Sequence, residues 1–292
     1  MDNYLDKTES LTPEAQGIIC DKKTEYPHSG TYNELKTQGS YLCRRCGWAL
    51  FRADSQFASG CGWPSFDVEI DDHVKHQLDV DGIRTEIVCK RCDAHLGHVF
   101  KGEQITAKNT RYCVNSLSID FVVNGEVNDT KEAIVAGGCF WGVEHFLGQM
   151  EGVLKVESGY TGGTTINPSY EAVCSGHTGH LEAVRVVFDA DKTDYQTVIK
   201  RFFEIHDPTQ SSGQGPDIGS QYQSAVFYFN ETQKHTAEQL IQQLKNNNYD
   251  VVTKLIPVHP FWAAEAYHQN YYEKNKKQPY CHSPVNRFKT DQ

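Results

Sequence analysis

Short alternating apolar runs dominate the first 123 residues of the chain. YLCRRC, WALFRA, GIRTEIVC and SLSIDFVV each read as a strand between glycine- and aspartate-rich turns, and only LTPEA begins a short helix. The pattern breaks at NGEVNDTKE (124–132), a polar, turn-forming stretch. Beyond it the period lengthens. A strand is expected over 134–137, a helix over 140–150, a strand over 181–188 (LEAVRVVF) and a helix over 195–206 that gathers Val198, Ile199, Phe202 and Ile205 on one face. QSAVFYF reads as a strand running into Asn230, an N-cap with Gln233 three residues on, and a helix to about Lys245. VVTKLIP and an aromatic helix near 261–275 complete the pattern. Two domains follow: a β-rich one over 1–123, a linker over 124–131 and a mixed α/β one over 132–292.

The size agrees, since 292 residues exceed what one core usually organises. No apolar run approaches the roughly 20 residues of a membrane span. MDNYLDKTESLTPEAQ lacks the basic-then-apolar order of a secretory signal, so the expectation is a cytoplasmic protein that binds no membrane. The net charge is −10, with both halves acidic and no sustained basic run, which argues against a nucleic-acid partner.

Ten cysteines change the picture. In a cytosolic chain they point to metal ligation or redox chemistry rather than a disulfide scaffold. CRRC (Cys43, Cys46) and CKRC (Cys89, Cys92) are two C-x-x-C pairs at strand ends, and two intervening residues let both thiolates of a pair reach one tetrahedral ion. The 42 residues between them exceed the usual ribbon spacing. Structural zinc on the four cysteines is the favoured reading. A local site in CKRCDAHLGH (Cys89, Cys92, His95, His98) and a redox role for one pair are its rivals. The histidines of HLGH are then either satisfied at a strand end or form a cluster able to protonate a ligand near neutral pH.

Two other thiols keep aromatic company. In AIVAGGCFWGVEHF, Cys139 follows two glycines at a strand-to-helix turn, where backbone N–H groups and the helix dipole favour a thiolate, and Phe140 and Trp141 supply an apolar wall. The plainer alternative is a small residue packed at the junction. Cys113 lies on the strand in TRYCVNSLSIDF, sharing a face with Arg111 and Asn115 by alternation. SGCGWPSF adds Cys61 and Trp63 in a glycine-rich loop.

These stretches carry a resemblance. GCFWG, GYTGG, NPSY, GHTGHLEAV, HDPTQ, QGPDIGSQY and YHQNYYEKN, over about 131–285, are similar to the peptide methionine sulfoxide reductase A family. LTPEA, SGTY, CRRCGWALF, SGCGWPSF, GIRTEIVC, HLGHVF and RYCVNS, over about 10–123, resemble methionine sulfoxide reductase B. The resemblance implies a ferredoxin-like plait for the second domain, with structural zinc and no organic cofactor for the chain. It implies that a cysteine attacks the sulfoxide sulfur, becomes a sulfenic acid and condenses with a second cysteine to a disulfide that thioredoxin reduces. Oxidised proteins and free methionine sulfoxide are the implied substrates, the S epimer for the second domain and the R epimer for the first. Carried over, Cys139 is the nucleophile of the second domain, with Phe140 and Trp141 holding the S-methyl group. Glu182 protonates the oxygen, aided by Tyr170, Asp217 and Tyr222, and Cys281 is the resolving thiol unless it is a free surface one. In the first domain Cys113 attacks, Trp63 is the methyl wall, His95, His98 and Asn115 serve the oxygen and Cys61 resolves. Cys174 fits a buried position after the substrate loop, and Cys20 an incidental helical one.

Three departures from the family pattern bear on loop shape: KGEQITAKNT in place of a Gly- and Pro-rich loop, Gln223 where Arg is usual, and FDADKTDY without Asp-Pro. Two other classes compete with the enzyme. A zinc-ribbon module with a redox-sensing domain requires a basic binding face, against the acidic balance. A general thiol–disulfide oxidoreductase requires its reactive thiols in C-x-x-C.

Overall fold

The computed structural model describes residues 4–34, 37–123 and 127–289. Residues 124–126, within the expected linker, lie outside the described residues. The chain divides near residue 130 into two compact units, Leu5 counting with the C-terminal one.

The N-terminal unit opens on helix α1 (Pro13–Ile19). Proline stands at its first position and the Thr12 hydroxyl accepts the Ala15 N–H, so the orphan donors of the first turn are reduced at both points. Strands β1 (Ser40–Cys43), β2 (Ala49–Arg52), β3 (Ser65–Phe66), β4 (Val74–Leu78), β5 (Thr85–Cys89), β6 (His95–Lys101), β7 (Thr110–Val114) and β8 (Ile119–Val122) follow. They form two sheets, ordered β2-β1-β8 and β3-β7-β6-β5-β4. Aromatic rings fill the unit: Tyr41 meets Phe66 edge-on at 4.9 Å, and Phe66 stacks on Phe51 at 4.5 Å. All three are fully buried, each contributing roughly 1.5–3 kcal/mol of burial.

The C-terminal unit runs β9 (Thr130–Ala136), α2 (Phe140–Gly148), β10 (Val153–Thr161), α3 (Tyr170–Cys174), β11 (Leu181–Asp189), α4 (Tyr195–Ile205), β12 (Gly213–Gln214), β13 (Asp217–Ile218), β14 (Ala225–Tyr228), α5 (Glu231–Asn246), β15 (Lys254–Pro257), β16 (Trp262–Ala263) and α6 (Tyr271–Asn275). Six strands make one sheet, β15-β14-β9-β11-β10-β16, and β12-β13 a small hairpin. Strands β14 and β15 are parallel, as the intervening α5 allows. The predicted cap is present: Asn230 accepts the Gln233 N–H.

The two-residue period sorts this sheet. Ala133 and Val135 of β9 and Val184, Val186 and Phe188 of β11 pack under α2, α4 and α5. Ile134, Ala136, Leu181 and Ala183 join a separate cluster with Phe227 and Phe261. Parity therefore puts Glu182 on the face of Val184 and Val186, toward α2. Arg185, of the other parity, is fully buried and ion-paired with Glu132 and Glu157.

Two expectations need correction. The aromatic stretch 261–275 is not a helix: Trp262 pairs with Tyr160 of β10, turns follow, and the single-turn α6 starts only after Asn270 adopts a left-handed backbone. Cys174, expected to be buried, is exposed at the end of α3.

Candidate active sites

Four thiols converge first. After β1 the Cys43 N–H reaches Trp48 O and the Gly47 N–H returns to Cys43 O, both at 2.7 Å. After β5 the Cys89 N–H reaches Ala94 O at 2.9 Å and the Asp93 N–H returns to Cys89 O at 2.8 Å. The two turns are thus the same device, and each presents both of its cysteines. Cys43 Sγ lies 3.6 Å from Cys92 Sγ, and Cys46 Sγ 3.6 Å from Cys89 Sγ. All four sulfurs are buried and within 4.8 Å of one another. A tetrahedron of thiolates at Zn–S of about 2.3 Å has edges of about 3.8 Å. The donor set fits zinc in size and softness. The rival local set is not assembled, since His95 and His98 point to Glu86 and Asp79 instead.

The N-terminal thiol pair lies elsewhere in the same unit. Cys113 stands on β7 and Cys61 in the loop before β3, their sulfurs 3.7 Å apart. Strand β6 must approach closely here: a Cβ on Gly97 would lie 2.0 Å from the Cys113 carbonyl oxygen, so the central glycine of HLGH is required. His98 is the cross-strand partner of Cys113, and its ring sits 5.8 Å from that of His95. Each ring is held by a carboxylate, His95 Nδ1 by Glu86 at 2.7 Å and His98 Nε2 by Asp79 at 2.5 Å. His95 Nε2 is buried without a partner, a proton-bearing or proton-accepting atom left for a ligand. Burial, with Cys61 alongside, pushes the Cys113 thiol up to about 12. Burial also opposes ionisation of Cys61, yet the Ser59 and Ser65 hydroxyls at 3.0 and 3.4 Å outweigh it and hold that thiol below its usual value.

Trp63 is half-buried, its indole N–H on Glu25 O at 3.1 Å. Asn115 is spent on structure: Oδ1 accepts the Glu25 N–H, and Nδ2 donates to Leu96 O. Glu25, which sequence reasoning missed, also accepts the Ser116 and Leu117 N–H groups. It ties the N-terminal segment across the site from 90 residues away, and no local pattern announces it.

In the C-terminal unit Cys139 is the N-cap of α2, as the sequence predicts. Its sulfur, the Cys281 sulfur and an Asp217 carboxylate oxygen lie within 4.8 Å of one another. Glu182, 1% exposed, accepts the Phe140 N–H at 3.1 Å. Burial lifts its carboxyl to about 8, so it carries its proton at neutral pH. The accepting oxygen faces the N–H, which leaves the other to hold an O–H donor.

The expected lowering of Cys139 does not occur. The Cys281 thiol alongside, burial and the neighbouring Glu182 together push Cys139 up, and the helix-start N–H groups do not overcome them. Cys281 instead is lowered to about 6, chiefly through its contact with Cys139 and also through His282.

Phe140 is fully buried and Trp141 stacks on Tyr271 at 3.6 Å with its rings 5° from parallel. The Trp141 N–H reaches His268 Nδ1 at 3.0 Å, and His268 also touches Phe140 and Tyr170 at 5.0 and 4.5 Å. Burial raises the Tyr170 and Tyr222 hydroxyls, with Glu182 a further cause in each. Asp217 accepts the Tyr280 hydroxyl at 3.1 Å. His268 and Tyr271 were not singled out in sequence, although YHQNYYEKN carries both. His282 was also missed. Gln223, the departure from Arg, accepts Lys254 Nζ at 2.8 Å on the surface.

The fold and these sites define a two-domain oxidoreductase. The peptide methionine sulfoxide reductase family profile matches residues 131–292, and the SelR domain profile matches 11–123. A peptide methionine sulfoxide reductase MsrA of Acinetobacter baumannii is 51% identical over 155 residues, which are 53% of this chain and 90% of the relative. One from Deinococcus radiodurans is 48% identical over 154 residues, 52% of this chain and 75% of its own. Among solved structures, reduced Mxr1 of Saccharomyces cerevisiae superposes with a TM-score of 0.51 at 30% identity, over 53% of this chain and 92% of that one. The chain belongs to the peptide methionine sulfoxide reductase family, with a SelR (methionine sulfoxide reductase B) domain fused ahead of the A domain. Its activity is methionine sulfoxide reduction, the repair of an oxidative lesion. Among the described residues no helix is long and apolar enough to cross a membrane.

Proposed function

We propose that the two thiol pairs are two complete reductases, the C-terminal one acting on the S epimer of methionine sulfoxide and the N-terminal one on the R epimer, in proteins and as the free amino acid. The observation that carries this reading is that each unit sets a thiol pair beside its own polar side chains able to face the sulfoxide oxygen, Glu182 in one and His95 with His98 in the other. A sulfoxide sulfur is a stereocentre. A pocket that fixes its methyl group and its oxygen presents the sulfur of one epimer only to the thiol.

In the C-terminal site Phe140 and Trp141 hold the methyl group, and Glu182, with Tyr170 and Tyr222, faces the oxygen. Cys139 sulfur attacks the sulfoxide sulfur as the Glu182 proton moves to the oxygen. The hydroxyl then passes from the substrate sulfur to Cys139 as the new S–S bond and the substrate S–O bond break. Methionine leaves as the thioether with the S–S electron pair, and the Cys139 proton returns to the Glu182 carboxylate, so that Cys139 is left as S–OH. Cys281 sulfur then attacks that sulfur and expels the hydroxyl, which leaves as water. The resulting disulfide is reduced by thioredoxin through thiol exchange. Cys113 and Cys61 follow the same sequence, with Trp63 at the methyl group and His95 and His98 around the oxygen, while Asn115, expected there too, instead fixes the Glu25 and Leu96 backbone beside them. Cys43, Cys46, Cys89 and Cys92 would hold zinc, which supplies cross-linking of two turns and no open position for chemistry. No organic cofactor enters this scheme.

The test is thioredoxin-coupled turnover of each resolved epimer. Cys139→Ser is expected to abolish S-epimer turnover and spare the R epimer, and Cys113→Ser to do the reverse. Loss of both activities in either variant would contradict the assignment.

A further inference from the structure

His282 stands immediately after Cys281, yet its contacts reach back across the whole C-terminal unit. Its Nε2 lies 2.7 Å from the Gly137 carbonyl oxygen. A carbonyl only accepts, so Nε2 carries the hydrogen. In the neutral ring Nδ1 is then bare, and it lies 3.0 Å from Cys281 Sγ. The ring is 5% exposed and is fitted into the nucleophile turn. A Cβ on Gly142 would fall 2.2 Å from His282 Nδ1, and one on Gly138 would fall 3.4 Å from its Cε1. The second glycine of GCFWG is therefore the space this imidazole occupies.

Resting on the reductase reading above, we propose that His282 is a positioning residue for the second step, holding Cys281 beside Cys139 and accepting its proton so that the resolving thiol attacks as a thiolate. The relay is Gly137 carbonyl, imidazole, Cys281. It fixes the tautomer and anchors the C-terminal segment to the loop that carries the nucleophile. The balance is simple. The Cys281 proton passes to Nδ1, the Cys281 sulfur forms the S–S bond, the Cys139 S–O bond breaks, and the departing hydroxide takes that proton from the imidazolium to become water, which restores the neutral ring.

The timing makes the histidine matter. In the reduced pair the Cys139 S–H is the largest influence lowering Cys281, with His282 next among the favourable ones. Once Cys139 carries a sulfenic hydroxyl that S–H is gone, and the imidazole remains. The other titratable groups around the pair are Asp217 from β13 and Tyr280 beside it, Glu182 from β11 and Tyr272 from α6; the Asp217 charge disfavours the thiolate. His206, at the end of α4, is the nearby ring on the far side of His282 and is itself kept neutral by burial.

The experiment is a single turnover of the S epimer by the full reduced chain without reductant, for wild type, His282→Ala and His282→Asn, from pH 5.5 to 9. Methionine release and loss of free thiols are followed separately by quenched flow. Disulfide formation in wild type is expected to rise with a midpoint below the ordinary thiol range, as Cys281 ionises beside the imidazole. In both variants the midpoint is expected to move up toward that range of about 8.5. A thiol of higher pKa is also the stronger nucleophile, so the loss is several-fold at the acid end of the range and narrows as the pH rises. Methionine release reports that the variants are folded. A uniform slowing with an unshifted midpoint, or no slowing at all, overturns the inference alone. No methionine from wild type overturns the reductase reading and the inference with it.

Discussion

The two thiol pairs are built from different parts. In the N-terminal unit the nucleophile candidate sits on a strand and its partner in a loop; in the C-terminal unit the nucleophile candidate caps a helix and its partner lies in the terminal segment. The N-terminal partner thiol is lowered by serine hydroxyls, the C-terminal one by an adjoining thiol and an imidazole. The polar groups beside each pair differ as well, two carboxylate-held histidines against one buried carboxyl. What the pairs share is a rank order: Cys113 and Cys139 are raised, Cys61 and Cys281 lowered.

This contrast can be broken by asymmetric changes. The largest effect is expected from the four-cysteine centre. Cys46→Ser, or prolonged chelation, should leave R-epimer turnover below detection and free the N-terminal sheets to unfold, since structural zinc centres contribute on the order of 10 kcal/mol. Zinc content and R-epimer rate measured on the same sample check this. Next is Glu182→Gln, which keeps the shape but removes the titrating proton. S-epimer kcat/KM is expected to fall about 10²–10⁴-fold with the R epimer untouched. In the unmodified chain, S-epimer chemistry needs Glu182 protonated. Its carboxyl is raised to about 8, so the step is fully active below that pH and declines as pH rises through it. An S-epimer profile with no loss above pH 8 would remove Glu182 as the acid. The smallest effect belongs to Ser59→Ala. Without that hydroxyl Cys61 should ionise at higher pH, slowing N-terminal disulfide formation several-fold at pH 6 while methionine release is retained.

Sequence exposed the parts whose geometry is local. C-x-x-C turns bring their own thiols together, and two identical turns leave one partner for each other. Strand parity alone places Glu182 on the face of α2, and glycines before Cys139 announce the strand-to-helix turn. What stayed hidden is held by distant contacts. Glu25 reaches Asn115 and the turn after it from 90 residues away. His282 reaches Gly137 across 145 residues. The raised Cys139 was unreadable for the same reason, since it depends on Cys281 and Glu182 rather than on the helix start. The aromatic stretch 261–275 misled because its rings line the site around Trp141 and His268 instead of marking one face of a helix.

The central claim is that each epimer is handled by one pair. The most direct measurement is disulfide mapping after a single turnover with one resolved epimer and no reductant. The S epimer is expected to yield the Cys139–Cys281 disulfide alone, and the R epimer the Cys61–Cys113 disulfide alone. Both disulfides from either epimer, or a bridge that mixes the pairs, would contradict it.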